Sequence, residues 1–203
     1  MQERDAQVII IIGRNGTGKS TFCEKIVKAI KSKSIVVTYN GLPKIWRNYP
    51  KIDLRKSKDL RFKRGIKQVI AAEYEVSRKR NDLFELIYKR FSNGIVVFDD
   101  ARGYISSNVD DDKYFRHLLL DFRHRMLDLI FVVHSPADVP PRVWGSATTV
   151  FVGSTDSLVN KAQVKTDSAP RIIEIQKFVN EQFRKAKAKN NGSHYGIFQI
   201  VRL

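Results

Sequence analysis

Short apolar runs alternate along the chain with longer segments in which apolar residues recur every three or four positions. The short runs predict buried strands, and the longer spacing predicts helices that are apolar on one side. The predicted strands cover residues 8–12, 34–39, 66–71, 95–100, 127–134, 148–152 and, near the end, 196–201. The predicted helices begin at residue 19 and cover 77–91, 114–126 and 172–187. Strands that alternate with helices predict an α/β fold around a mostly parallel sheet with right-handed crossovers.

The stretch between the first predicted strand and helix matches the phosphate-loop motif G-x-x-x-x-G-K-[ST] at every specified position. Its glycines allow backbone N–H groups to face a phosphate, and the following helix N-terminus adds positive potential. We expect Lys19 to reach the β- and γ-phosphates of ATP and the Ser20 hydroxyl to bind Mg²⁺. The alternative, a glycine-rich turn that matches by chance, is disfavoured by the strand-loop-helix context. The residues expected to bind the nucleotide are Gly13, Arg14, Asn15, Gly16, Thr17, Gly18, Lys19, Ser20 and Thr21.

Polar residues end two of the later predicted strands. Asp99 and Asp100 close the strand over 95–100, and His134 closes the strand over 127–134. Acids at the carboxyl ends of parallel strands lie at the sheet edge where ligands bind in open α/β folds. We expect Asp99 to hold Mg²⁺ through water, Asp100 to orient or deprotonate the attacking water, and His134 to sense the γ-phosphate. The alternatives are an ordinary pair of turn acids and a structural histidine.

Charge points to a class of partner. The formal net charge is +16, and residues 44–80 contain 13 Lys or Arg against 4 Asp or Glu. Such a stretch predicts a polyanionic partner, most simply nucleic acid, bound mainly through its phosphates. The alternative is a solvated basic face. The aromatic residues within the stretch are Trp46, Tyr49, Phe62 and Tyr74.

Length and composition limit the organisation of the chain. Its 203 residues suit one domain over 1–203, with a core over about 8–155 and a basic helix and terminal strand over 168–203. The single cysteine, Cys23, allows neither an internal disulfide nor a cysteine metal cluster. No apolar stretch reaches the length of a membrane span, and the first residues lack a signal-peptide layout. These features predict a soluble, intracellular protein.

Four stretches resemble the FtsK/HerA group of DNA-pumping ATPases. They are Phe-Ser-Asn-Gly at 91–94, the acids Asp99 and Asp100, Phe-Arg-His-Arg-Met-Leu-Asp at 122–128, and His-Ser-Pro-Ala-Asp at 134–138. The nearest similarities, over roughly residues 8–155, are to zonular-occludens-toxin-like morphogenesis proteins and to small genome-packaging ATPases of membrane-containing viruses. The resemblance implies a RecA-like P-loop NTPase fold of the ASCE division, with ATP and Mg²⁺ as cofactors. It also implies a hexameric ring of identical subunits with double-stranded DNA in a basic channel.

The resemblance implies the same roles for the loop lysine and serine, the two acids and the histidine, but this chain departs from the family pattern. Glutamate is more usual at the position of Asp100, and many relatives have glutamine at that of His134. FtsK-type proteins also carry an arginine after the last core strand, where this chain has Asp-Ser-Leu at 156–158. An arginine finger must therefore come from elsewhere. The candidates are Arg123, Arg125 and Arg142.

Together these features predict an ATP-driven nucleic-acid translocase, most concretely a viral genome-packaging ATPase. It would act in the host cytoplasm or at a packaging vertex of the virion, with capsid or portal proteins as further partners. One alternative is a filamentous-phage-type morphogenesis ATPase, which usually carries a membrane-spanning segment. Another is a small-molecule P-loop kinase, although the paired acids and His134 fit water activation better than transfer to a metabolite. A third is a basic nucleic-acid-binding or capsid-associated protein without turnover.

Overall fold

A computed structural model of the chain describes residues 5–41, 43–74, 82–106, 112–160, 164, 168–189 and 196–203. These residues contain one sheet, whose strands are β1 Val8–Ile12, β2 Lys33–Thr38, β3 Gly65–Ile70, β4 Gly94–Asp99, β5 Leu127–Val133, β6 Thr149–Val152 and β7 Gln199–Arg202. The strand order is β3-β2-β4-β5-β1-β6-β7. Every neighbouring pair is parallel except β6 with β7, which is antiparallel.

Helices connect the strands across both faces of this sheet. In the described ranges they are α1 Lys19–Ile30, α2 Asp82–Arg90, α3 Lys113–Asp121, α4 Pro141–Ser146 and α5 Ala169–Lys189. A short 3-10 helix, Lys44–Asn48, follows β2 and is called the 44–48 turn below. Parallel strands need such crossovers, and helices on both faces then bury the sheet completely.

The central strand β1 shows how the two core layers form. Successive side chains of a strand point to opposite faces, so Ile9 and Ile11 pack in the layer that contains Cys23 and Val27 of α1. The alternate residues Val8, Ile10 and Ile12 belong to the larger layer with α2 and α3. All five residues of β1 are buried. Burial on both faces explains why β1 is apolar at every position. The strand pairing and the helices on both faces confirm the predicted mostly parallel sheet flanked by helices.

The end of α3 differs from the predicted helix over 114–126. The helix proper ends at Asp121, and the chain then closes in a Schellman motif with Met126 at φ 52°. Leu127 N donates to Phe122 O at 2.8 Å and Met126 N donates to Arg123 O at 2.9 Å, which is the hydrogen-bond pattern of that motif. The turns over 122–126 continue the path of the helix, so the apolar spacing continues through them. Spacing alone therefore placed the helix end too late.

Other boundaries also differ from the predictions. The predicted helix over 114–126 begins one residue earlier, at Lys113, and Asp112 caps it, since its Oδ1 accepts from Tyr114 N and Phe115 N at 3.0 and 2.9 Å. Positions 77–81 of the predicted second helix lie outside the described residues. The short helix α4 was not predicted; Pro141 occupies its first turn, where proline is favoured.

Candidate active site

The phosphate loop joins the carboxyl end of β1 to α1. Gly13 N donates to Val133 O at 3.2 Å and Arg14 N donates to Ser154 O at 2.7 Å, so the loop is attached to the chain at the ends of β5 and β6. Gly16 and Gly18 adopt φ values of 77° and 82°. Side chains rarely tolerate these left-handed angles, which is the physical reason for glycine at both positions. Gly18 then precedes the first residue of α1, Lys19.

The side chain of Lys19 is almost entirely buried between the loop and the ends of two strands. Its Nζ donates to Arg14 O at 3.0 Å and lies 3.1 Å from His134 Nδ1. Burial lowers the pKa of Lys19 to about 8, against the opposing effect of Asp99 and Asp100. Because a lysine ammonium only donates, His134 Nδ1 accepts from it and the ring proton is on Nε2.

Asp100 completes a chain of contacts that begins at Lys19. His134 Nε2 lies 3.5 Å from Asp100 Oδ1. The hydrogen bond from His134 lowers the pKa of Asp100, against a smaller opposing effect of burial. Asp100 follows β4 with φ 53°, a backbone angle that aspartate adopts more readily than most residues. The strand predicted over 95–100 therefore ends one residue early, at Asp99, and Asp100 begins the following turn.

Asp99 is the buried member of the acid pair, with an exposed fraction of 3%. Trp46 Nε1 donates a hydrogen bond to its Oδ2, and the Ser20 side chain makes a second hydrogen bond to the carboxylate. Burial raises the pKa of Asp99, and these two hydrogen bonds oppose the rise. The Tyr104 hydroxyl shares its single proton between two backbone oxygens here, Val37 O at 3.0 Å and Asp99 O at 3.1 Å.

The phosphate loop and the residues at the ends of β4 and β5 line one open cavity of about 510 Å³, a volume within the usual range for ligand sites. From the loop segment the lining includes Asn15, Gly16, Gly18, Lys19, Ser20 and Thr21. Asp99, Asp100 and His134 line the same cavity. The strand ends therefore bring the acids and the histidine to the phosphate loop.

Arg14 does not line this cavity, although it lies within the motif. Its guanidinium NH1 is 2.8 Å from Asp156 Oδ1, and its Cζ lies 4.8 Å from the centre of the Phe183 ring. The loop thereby contacts the C-terminal helix α5. Gly13 and Thr17 also lie outside the lining, and Thr17 Oγ1 donates to Arg14 O at 2.9 Å. These three residues shape the loop in this structure, and their contact with a nucleotide stays a prediction.

The three candidate arginines lie away from the cavity of their own chain. Arg123 and Arg125 precede β5, so they lie at the amino edge of the sheet, about 20 Å from the opposite edge for a seven-residue strand. Arg125 NH2 donates to Phe91 O at 3.0 Å, and its guanidinium stacks on Tyr88 at 4.6 Å. Arg142 lies in α4, which follows the carboxyl end of β5 and so begins nearer the nucleotide edge.

The structure adds site residues that were not predicted from the sequence. Pro43, Lys44 and Ile45 also line the cavity, and the available sequence signal was that Lys44 and Ile45 begin the basic stretch. Arg102 follows the acid pair closely; its guanidinium contributes to lowering the pKa of Asp100 and lies 3.5 Å from Asp138 Oδ1. Its side chain is 80% exposed, and its position two residues after Asp100 was the available signal.

The oxygen donors at the phosphate loop fit Mg²⁺ that is bound partly by water and phosphate, rather than a metal that is bound only by protein side chains. Ser20 and Asp99 offer a hydroxyl and a carboxylate at the phosphate loop, and Mg²⁺ prefers oxygen ligands shared with water and phosphates. Within the described ranges, no three histidine, cysteine, aspartate or glutamate side chains cluster as a metal site would require. The cavity therefore suits a nucleotide that brings the metal with it.

The sheet, its flanking helices and this cavity define a RecA-like α/β fold that carries a phosphate-loop motif. No protein-family model matches the sequence, and no curated protein matches it. Among solved structures, the genome packaging NTPase B204 from Sulfolobus turreted icosahedral virus 2, in complex with AMPPCP, is similar with a TM-score of 0.64 and 18% identity, over 98% of this chain and 93% of that chain. The DNA-packaging ATPase B204 from Sulfolobus turreted icosahedral virus gives 0.62 and 17%, over 98% and 94%.

A third similar structure is the N-terminal domain of zonular occludens toxin from Neisseria meningitidis, with a TM-score of 0.50 and 16% identity over 75% of this chain and 79% of that chain. At these identities the likeness shows a shared fold. It confirms that the structural neighbours include the two groups that the sequence resembles. No helix in the described part of the chain is both long and apolar enough to cross a membrane.

Proposed function

We propose that this protein is an ATP-driven nucleic-acid translocase, most concretely a viral genome-packaging ATPase that moves double-stranded DNA into a capsid. The observation that carries the proposal is the meeting of Lys19, Ser20, Asp99, Asp100 and His134 at one cavity. Structural similarity to two packaging ATPases over nearly the whole chain supports it. In this proposal residues 1–203 act as one ATPase domain within a hexameric ring.

The loop and the strand ends divide the chemistry between them. Ser20 and Asp99 would hold Mg²⁺, which when bound neutralises charge on the β- and γ-phosphates. Lys19 would turn from His134 to the phosphates, and Asp100 would orient or deprotonate the attacking water. Lys19 contacts Nδ1 of His134, and Asp100 contacts Nε2 of the same ring. Movement of Lys19 would therefore remove a hydrogen bond from the imidazole that contacts Asp100. In this proposal His134 would report phosphate binding to Asp100.

A filamentous-phage-type morphogenesis ATPase is the second candidate, because the zonular occludens toxin domain shares the fold. That similarity extends over 75% of this chain, whereas the packaging ATPases are similar over 98%. Packaging is therefore the preferred assignment.

The two acids should fail in different ways when each is replaced by asparagine. Asp100→Asn is expected to keep Mg²⁺-nucleotide binding and to lose turnover by about 100-fold or more, since it removes water activation. Asp99→Asn should instead raise the Mg²⁺ concentration needed for nucleotide binding by about 10-fold or more. Equilibrium binding of a fluorescent ATP analogue across a Mg²⁺ titration, with steady-state turnover, separates the two. Normal hydrolysis by Asp100→Asn would place the general base elsewhere.

The basic stretch is proposed to contact nucleic-acid phosphates, and the structure refines which residues can do so. Lys63 and Arg64 are exposed just before β3. Lys67 is less available, because its Nζ donates to Asp59 O at 3.0 Å and lies 4.4 Å from the centre of the Phe62 ring. Trp46 and Tyr74 are buried, so neither is presented for stacking on bases.

Double-stranded DNA is expected to stimulate ATP turnover, and DNA affinity should fall steeply with salt. Replacing Lys63 and Arg64 by glutamine should lower the slope of log affinity against log salt by about 0.9 for each duplex phosphate that the protein no longer neutralises. The matched control replaces Lys187 and Lys189 by glutamine. Both are exposed at the end of α5, so this variant loses the same charge. Equal slopes in the two variants would contradict the assignment of this surface. DNA that neither binds nor stimulates would contradict the translocase itself.

A further inference from the structure

A buried indole N–H contacts the carboxylate that is expected to hold Mg²⁺. Trp46 is fully buried in the layer between the sheet and α1, and its Nε1 donates to Asp99 Oδ2. The Ser20 side chain bonds the same carboxylate. The carboxylate is therefore fixed from two sides, by the phosphate-loop helix and by a residue that lies 53 positions away in the chain.

The 44–48 turn that carries this indole is itself held firmly against the sheet and α1. Just after the turn, Gln68 N donates to Pro50 O and Ile52 N donates to Gln68 O, both at 2.9 Å, so the chain pairs with β3. The Tyr49 hydroxyl donates to Glu24 Oε1 on α1. Lys44 and Ile45, at the start of the turn, line the nucleotide cavity. The indole therefore lies directly behind the part of the cavity wall that Lys44 and Ile45 form, in a turn held to β3 and α1.

We infer that Trp46 is a positioning residue that orients the Asp99 carboxylate for Mg²⁺-nucleotide binding. A carboxylate free to rotate about its terminal torsion would lose alignment with a metal ligand, whereas a hydrogen bond to one oxygen fixes the orientation of the other. The N–H group is the part of Trp46 that does this, and the rest of the ring fills the core. The inference rests on the proposed role of Asp99.

The chain provides a matched control, because its sequence contains two tryptophans. Trp144 is also fully buried, but its Nε1 contacts no hydrogen-bond partner among the described residues. Trp46→Phe and Trp144→Phe therefore each remove a similar ring volume, and the first alone removes a hydrogen bond to Asp99. Trp46→Phe should raise the Mg²⁺ concentration for half-maximal binding of a fluorescent ATP analogue by about 10-fold. Trp144→Phe should leave it unchanged.

A second measurement keeps the test decisive if Trp46→Phe fails to fold. The Trp144→Phe protein contains Trp46 as its single tryptophan, so its emission reports the indole beside Asp99. Emission should shift when Mg²⁺ and unlabelled AMPPCP are added together, and less when AMPPCP is added alone. Where Trp46→Phe does fold, its emission comes from Trp144 and should show no such shift.

Two outcomes overturn the inference alone, provided that wild-type protein binds the analogue in a Mg²⁺-dependent way. They are an unchanged Mg²⁺ requirement in folded Trp46→Phe, and an emission of Trp46 that does not respond to the bound Mg²⁺-nucleotide. A wild-type protein that binds no nucleotide overturns the proposed function as well. A loss of thermal stability without a changed Mg²⁺ requirement would assign Trp46 to packing only.

Discussion

Lys19→Ala is expected to remove nearly all ATP turnover and to weaken nucleotide binding by roughly 10- to 100-fold. The wild-type ammonium lies in the cavity lining, 3.1 Å from Nδ1 of His134, which follows β5, and would make charge-assisted hydrogen bonds to the phosphates. The net loss of about one such bond, about 1.5–3 kcal/mol, corresponds to the expected decrease in affinity. Turnover should fall further, by about 100- to 1,000-fold, because charge on the transferring phosphate grows in the transition state. Steady-state phosphate release and equilibrium binding measure the two effects.

Lys25→Ala is the appropriate control for this variant. Lys25 lies on the same helix and is exposed, so its replacement removes an equal charge without touching the cavity. Its turnover should equal that of the wild-type protein. Normal turnover by a folded Lys19→Ala protein would contradict the assignment of the active site to this loop.

The predictions that succeeded from sequence were those that depend on local pattern. Residues of β1 and β5 are buried on both faces, so each strand is apolar at nearly every position and is visible as a run. The loop motif requires specific residues at fixed spacing. The meeting of Asp99, Asp100 and His134 at the loop also followed, because parallel strands end at one edge of a sheet.

The contacts that escaped prediction join residues far apart in the chain. The sequence around Trp46 indicated only an aromatic residue in a basic stretch, whereas packing against the sheet and α1 buries it beside Asp99. Arg14 likewise reaches Asp156, a pairing over 142 positions that no local spacing encodes. The strand order depends on such long-range packing, and so does the identity of the cavity wall formed by Pro43, Lys44 and Ile45.

Replacing the arginine finger should lower turnover by about 10³- to 10⁵-fold and leave nucleotide binding nearly unchanged. No candidate arginine lines the cavity of its own chain, and the loop's Arg14 is directed to Asp156 and Phe183. A neighbouring subunit would therefore supply the finger, so turnover per subunit should rise with protein concentration as the ring forms. Turnover measured beside light scattering over a concentration series checks this dependence.

Arg142 is the preferred finger, because α4 begins near the carboxyl end of β5, whereas Arg123 and Arg125 lie at the opposite edge of the sheet. Arg102 is added to the set, since it lies beside Asp100 and is largely exposed. Arg125 is the weakest candidate, because its guanidinium already contacts Phe91 O and the Tyr88 ring. Each of the four is tested as an alanine variant.

Mixing inactive subunits distinguishes a finger from a structural arginine. A Lys19→Ala subunit retains its arginines, and an Arg142→Ala subunit retains its phosphate loop, so a random equal mixture should restore an active pairing at roughly a quarter of the interfaces. The matched control replaces the first partner by the double variant Lys19→Ala with Arg142→Ala. That mixture contains no intact finger and should stay inactive. Rescue by the single variant but not by the double one would identify Arg142 as acting across the subunit boundary. Mixed rings that form without rescue for any of the four arginines would show that hydrolysis uses no finger from this set.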